Sequence, residues 1–229
     1  PGAPLTLDAF QKGVDPEKLT TYEAGTKIRF ADHRAEVNAA LFYNDYKDQQ
    51  VFGFDASGSL VLRNAAASSA RGAEVEIKWL PIDSLLMQLG AGYVNGHYKH
   101  FVLDDSVDPI VLADGSRMVL TPEVTANGLV RKSWRLSNGE FSVQGSAAYA
   151  GGQYFEPGQP PQTFEPAHTT YDARIGFAYG DKGAYDIALF GKNLGDNRFC
   201  LNSSSLPWGQ AQCSPNDPRT YGLSFSARL

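Results

Sequence analysis

The chain has 229 residues, 42% hydrophobic and 20% charged, with a formal net charge of -5, the composition of an ordered protein with no basic footprint for nucleic acid. No window approaches the roughly 18 consecutive apolar residues of a membrane-crossing helix. A spanning barrel stays open, because its strands carry a polar residue at every second place.

The chain opens Pro1-Gly2-Ala3-Pro4, without Met and without a basic-then-apolar leader, which reads as a processed chain or a piece of a longer one. Residues 1–19 form a loop running into the first strand. From Thr20 to Ala31, the residues Tyr22, Ala24, Thr26, Ile28 and Phe30 fall on one side of an extended backbone and Glu23, Gly25, Lys27 and Arg29 on the other. After a polar break at Asp32 and His33, Ala35, Val37, Ala39, Leu41 and Tyr43 oppose Glu36, Asn38, Ala40, Phe42 and Asn44. These are two antiparallel strands with one greasy face each, long enough for the roughly 9–11 residues that cross a bilayer.

Asp48 to Ser69 reads as an irregular region with a short hairpin. A third strand, Arg71 to Leu80, sets Ala73, Val75, Ile77 and Trp79 against Gly72, Glu74, Glu76 and Lys78. Pro81 to Ser84 turns it, and Leu85, Met87, Leu89, Ala91 and Tyr93 give the greasy side of a fourth. Residues 97–121, with Asp104, Asp105, Asp108 and Asp114, read as a long loop. A fifth strand, about Glu123 to Trp134, is the least regular, since Lys132 stands in line with Val124, Ala126, Gly128 and Val130. Ser137-Asn138-Gly139 is a tight turn before Phe141, Val143, Gly145, Ala147 and Tyr149. A proline-rich loop over 153–168 leads to Tyr171, Ala173, Ile175, Phe177 and Tyr179. Gly180 to Gly183 turns the chain into Tyr185, Ile187 and Leu189, and a loop over 194–218 leads to Tyr221, Leu223, Phe225, Ala227 and Leu229.

Connections near 32, 82, 138 and 182 are short and those near 58, 109, 160 and 206 long, the asymmetry of short periplasmic turns and longer extracellular loops. Aromatics of the apolar side gather at strand ends: Phe30, Trp79, Trp134, Tyr179 and Tyr185 by the short turns, and Tyr22, Tyr43, Tyr93, Tyr149, Tyr171 and Tyr221 toward the long loops, as two interfacial girdles require. About nine strands is an odd number where bacterial single-chain barrels are even, and end strands left open in lipid would strand their N–H and C=O groups, so the reading is part of a larger barrel. A soluble extracellular β-sandwich that binds carbohydrate is the alternative, with strands shorter than these.

Cys200 and Cys213 bracket a stretch rich in Ser, Pro, Asn and Gly. Their pairing closes a short irregular loop and implies an oxidising compartment; two unpaired thiols is the other reading.

The stretch PEKLTTYEAGTK with NAALFYNDYKDQQ, then RNAAASSARGAEVEIKWLP, then YDIALFGKNLGDNRF with RTYGLSFSARL, resembles the TonB-dependent receptors of the Gram-negative outer membrane over nearly the whole chain from about Leu5. The resemblance implies the C-terminal part of a 22-stranded transmembrane β-barrel, a plug domain and TonB-engaging box that this sequence does not show, and uptake of a scarce ligand such as an iron-siderophore through the TonB energy-transducing complex. It implies an outer-membrane location, outer-membrane lipid around the wall and no cofactor. A passive diffusion porin would differ in lacking the plug. The family usually closes on an aromatic where this chain has Leu229, with Phe225 nearest.

No GxSxG, HExxH, CxxC or Walker pattern occurs, and Gly90 to Gly96 misses the dinucleotide spacing while lying in a strand, so no enzyme is expected. His97 and His100 lack a third metal ligand, and the loop aspartates read as solvated. Glu23, Lys27, Arg29, Glu36, Asn38, Glu74, Glu76 and Lys78 are expected to face the lumen near the short-turn rim; by resemblance they contact the plug, and otherwise they face water. Tyr154, Phe155, His168 and Trp208 lie in long loops where an extracellular ligand would first be gripped, with packing among the loops as the competing role.

Overall fold

The computed structural model describes residues 14–54, 60–104, 111–112, 114–180, 184–206 and 209–227. In chain order its strands are β1 (Lys18–Phe30), β2 (Ala35–Phe54), β3 (Leu60–Ile82), β4 (Leu85–Asp104), β5 (Val111–Leu112), β6 (Val124–Leu136), β7 (Gly139–Ala150), β8 (Gln153–Tyr154), β9 (Phe164–Glu165), β10 (His168–Tyr179), β11 (Tyr185–Lys192), β12 (Cys200–Ser205), β13 (Ala211–Pro215) and β14 (Thr220–Ala227). The main sheet runs β1-β2-β3-β4-β6-β7-β10-β11-β14, with β5 added to β4. Every pairing is antiparallel. This path contains the nine alternating strands expected from the sequence. It is an open sheet: β1 and β14 each have one neighbour among the described residues.

Register carries the alternation from strand to strand, because directly paired residues share a face. Ile28 pairs Val37, Val37 pairs Ile77 and Ile77 pairs Leu89. That face is open: Ile28, Leu89, Ile175 and Leu223 are 51%, 50%, 48% and 65% exposed, and the girdle residues Tyr22, Trp79, Trp134, Tyr171 and Tyr221 lie exposed beside them. Among the described residues no second sheet packs on it, so the sandwich alternative is set aside. Full burial of one large apolar side chain is worth about 1.5–3 kcal/mol. These side chains are about half exposed, so much of that burial is unrealised, and an exposed apolar face of this extent marks a surface that meets lipid or another protein.

Two expected loops are largely strand. β2 and β3 run 20 and 23 residues and pair beyond Asp48 as far as Phe54 and Leu60, and β4 continues through Lys99 to Asp104. The alternation is hidden there by bulges: the register shifts between Tyr46 and Gln49, where Asp48 has φ +54°, and between Ala67 and Ser68 opposite Lys99. An extra residue flips the sense of a two-residue period. Strands about twice the length a bilayer needs stand out on the long-loop side. There Tyr98 and Phe101 pack edge to face at 4.7 Å with Ala66 and Met118.

The loops over 153–168 and 194–218 also hold structure, as the two-stranded pieces β8-β9 and β12-β13. Lys132, the misfit of the fifth strand, stays on the apolar side as β6 runs down to the short turns. Its ammonium donates to Ser84 Oγ and lies 5.8 Å from the centre of the Trp134 ring, a stem on apolar surface with its charge at the rim.

Candidate functional site

The polar face opposite the lipid-seeking one brings together the eight residues expected in the lumen. Register sets them in adjoining rows: Arg29, Glu36 and Lys78; Lys27, Asn38 and Glu76; then Glu74 among Gly25, Ala40 and Gly92. Glu36 takes both nearby cations, Oε1 at 2.8 Å from Lys27 Nζ and Oε2 at 2.7 Å from Arg29 Nε. Further round the sheet, Arg131 meets Glu140 at 3.4 Å and Arg174 meets Asp186 at 2.5 Å. Glu23, Glu74 and Glu76 have no hydrogen-bonding or ionic partner among the described residues. They rim a hollow floored by Gly25 and Ala40, and Asn38 beside it keeps a buried, unpartnered Oδ1. The hollow is an anionic recess with a spare acceptor, shaped to receive donors and cations.

On this face large side chains lie over small ones. A Cβ on Gly72 would sit 2.5 Å from Phe42 Cζ, and Asn127 covers Gly90 in the same way. The run Gly90 to Gly96 lies within β4 and lines the wall, as its strand reading requires.

At the long-loop end, the four candidate ligand contacts part company. Tyr154 packs at 4.9 Å against Phe164 and Phe155 is 7% exposed, its N–H donating to the Thr163 carbonyl. His168 stacks on Phe199 at 3.8 Å, and Trp208 lies outside the described residues. Each of the three that are described also packs among the loops. His97 and His100 do not converge, the first facing Asn95 Oδ1 at 3.1 Å and the second Asp114 Oδ2 at 3.4 Å. Among the described residues no three metal-ligating side chains cluster, and Asp105 and Asp108 lie outside them.

The two cysteines singled out in the sequence, together with residues that its patterning did not mark, hold this end. Cys200 and Cys213 are disulfide-bonded, and the β12-β13 hairpin they clasp is tied to the preceding loop by two glutamates. Glu156 accepts from Ser205 N–H and Oγ at 2.8 and 2.6 Å, and the buried Glu165 accepts from Cys200 N–H at 2.8 Å. Beneath them Asn193 Nδ2 donates to the carbonyls of Asn197 and Asp217, and Asn216 Oδ1 accepts from Phe199 N–H. Besides the cysteine pair, the signal in the sequence was the density of Asn, Asp and Gly in GKNLGDNRF.

Among the described residues, an open sheet with a nine-strand path, one exposed apolar face, short turns at one end and a tied cap at the other has the form of a segment of wall. The family described as TonB dependent receptor-like, beta-barrel, matches residues 2–194. The chain belongs to the TonB-dependent receptor β-barrel family. The pesticin receptors of Yersinia enterocolitica and Yersinia pestis are both 26% identical to it, over 222 and 225 residues, covering 95% of this chain and 30% of theirs. In fold it is similar to the ferric yersiniabactin uptake receptor FyuA from Yersinia pestis (TM-score 0.75, 22% identity, 91% of this chain and 29% of that one). It is also similar to the siderophore receptor PiuA from Acinetobacter baumannii (TM-score 0.71, 20% identity, 93% of this chain and 28% of that one). The chain thus spans about a third of the length of these relatives.

Proposed function

We propose that this chain is the C-terminal wall of a Gram-negative outer-membrane receptor that imports a ferric siderophore in a TonB-dependent way, as a transporter and not an enzyme. In this reading the open edges of β1 and β14 pair with further strands of a 22-stranded barrel, which relieves backbone groups that cost several kcal/mol each when unpaired in lipid. The observation that carries the reading is the two-faced sheet: apolar girdled side outward, ion-paired side inward. Relatives named for ferric yersiniabactin uptake and siderophore reception support iron as the cargo class. Glu23, Glu74, Glu76 and Asn38 Oδ1, unpartnered among the described residues, support a cationic plug surface seated in the lumen, with Lys27, Arg29, Glu36 and Lys78 around it. Tyr154, Phe155, His168 and Trp208 are the loop residues proposed to meet ligand.

Deletion of the gene is expected to abolish uptake of radioactive iron presented as its cognate ferric siderophore by iron-starved cells, and loss of TonB to abolish it equally. Uptake that persists without TonB at the wild-type rate would contradict the energised-receptor reading and favour a passive pore.

A further inference from the structure

Resting on the reading of the long-loop end as the part that grips ligand, we infer that the disulfide between Cys200 and Cys213 is a redox-sensitive latch. Its reduction lets the two loop elements around Tyr154, Phe155 and His168 come apart, and uptake stops. The β12-β13 hairpin clasped by the disulfide stands off the main sheet as a two-stranded piece. Such a hairpin alone is marginal in water, so the covalent clasp, which restricts the opened chain, decides whether it holds. The β8-β9 piece has two residues to a strand and leans on that hairpin.

Among the described residues, the side-chain ties from the 153–168 loop to the hairpin land on the clasped segment or beside it. Glu165, 8% exposed, accepts from the N–H of Cys200 itself. Glu156 takes the N–H and the hydroxyl of Ser205, and Gln162 Nε2 donates to the same Oγ at 3.3 Å. His168 stacks on Phe199, the residue before Cys200. The two cysteines are unequal: Cys213 is exposed, whereas Cys200 is half-buried behind its tie to Glu165. Exposed disulfides are the labile kind. A thiolate of an external dithiol attacks Cys213 Sγ, the S–S bond breaks, and the electron pair leaves on Cys200 Sγ, which takes up a proton. The second thiol of the reductant then displaces Cys213 from the mixed disulfide, leaving two cysteine thiols and a dithiol oxidised to its own disulfide. Reducing surroundings also turn ferric iron into the more soluble ferrous ion, for which import of a ferric complex is not needed.

The test takes the full-length receptor in bilayers and follows chymotrypsin cleavage after Phe155, which is buried while the cap is closed. A small dithiol is expected to speed that cut by about tenfold or more, reversibly on reoxidation; equal cleavage with and without it would overturn the latch. E156A/E165A keeps the disulfide but lacks the ties, so it should be cut without dithiol as fast as the reduced wild type. A variant cut no faster than the oxidised wild type would overturn the coupling. Iron-starved cells are then reduced, alkylated with a maleimide, washed, and given radioactive iron as the ferric-siderophore fraction of the organism's own culture medium. TonB-dependent uptake should fall about tenfold or more, as it should in C200S/C213S; undiminished uptake with both thiols alkylated would overturn the gate. If C200S/C213S fails to assemble, the alkylated wild type, folded before reduction, gives the answer. Wild-type uptake indifferent to TonB defeats the energised-receptor reading, on which the cleavage result does not depend.

Discussion

Asn193 sits at φ +48°, a left-handed backbone that asparagine tolerates better than most residues, and is 7% exposed. Its amide donates to the carbonyls of Asn197 and Asp217 at 2.9 and 3.1 Å and accepts from Asn197 N–H at 3.0 Å. Asn193→Ala strands all three of these groups, each costing about 1–3 kcal/mol if left buried and unpaired. Amide exchange at Asn197 should accelerate by roughly tenfold or more while β1 and β2 are unchanged. Unaltered exchange at Asn197 would show that the asparagine cluster is not what holds this end. Lys132 teaches the same lesson from the other side: the sequence marks it as an error in an apolar row, and only the stagger of β3 and β4 against β6, which brings Ser84 to it, makes it a rim residue.

Among elements, the strands whose alternation is unbroken were legible: Tyr22 to Phe30, Ala73 to Trp79 and Tyr171 to Tyr179 lie where a two-residue period puts them. The upper parts of β2, β3 and β4 were not, because the bulges at Asp48 and Lys99 break that period. The cap was illegible for a different reason: Glu156 and Ser205 are 49 residues apart in sequence, and no local pattern announces such a bond. The clasp between Cys200 and Cys213 spans 13 residues, for which chain entropy predicts about 3 kcal/mol. Reduction, or C200S/C213S, should raise amide exchange in Ser203 to Ser205 and also in Phe155 to Glu165, which contains no cysteine. Exchange rising in the hairpin alone would mean the glutamate ties do not couple the two loops.

The segment after β4 offers a pH handle at the same scale. Asp114 Oδ1 accepts from Phe101 N–H at 2.8 Å, which holds its carboxyl below the ordinary aspartate value of 3.8, with His100 adding in the same direction. A depressed folded-state pKa means that the contact contributes fully above 3.8 and fades only as pH falls below it. Protection of the Phe101 amide, corrected for intrinsic exchange, is therefore expected to be flat from neutral pH down to that value and to fall beneath it. Asp114→Asn should remove the fall, and a loss already under way at neutral pH would contradict the assignment.

For the whole molecule, the sheet alone explains little unless its surroundings are supplied, since its described residues enclose no central core and the large apolar side chains along one face stay exposed. The central claim is that this side meets lipid and the ion-paired side meets water. Single cysteines at Ile28, Leu89, Ile175 and Leu223, and at Glu74, Asn127 and Gln144, introduced into the full-length receptor in bilayers and spin-labelled, decide it. The claim predicts that labels of the first set are relaxed by oxygen dissolved in the membrane and little by a water-soluble nickel chelate, with the second set reversed. Labels at Ile28 and Leu223 that answer to the nickel chelate, with those at Glu74 and Gln144 answering to oxygen, would contradict it.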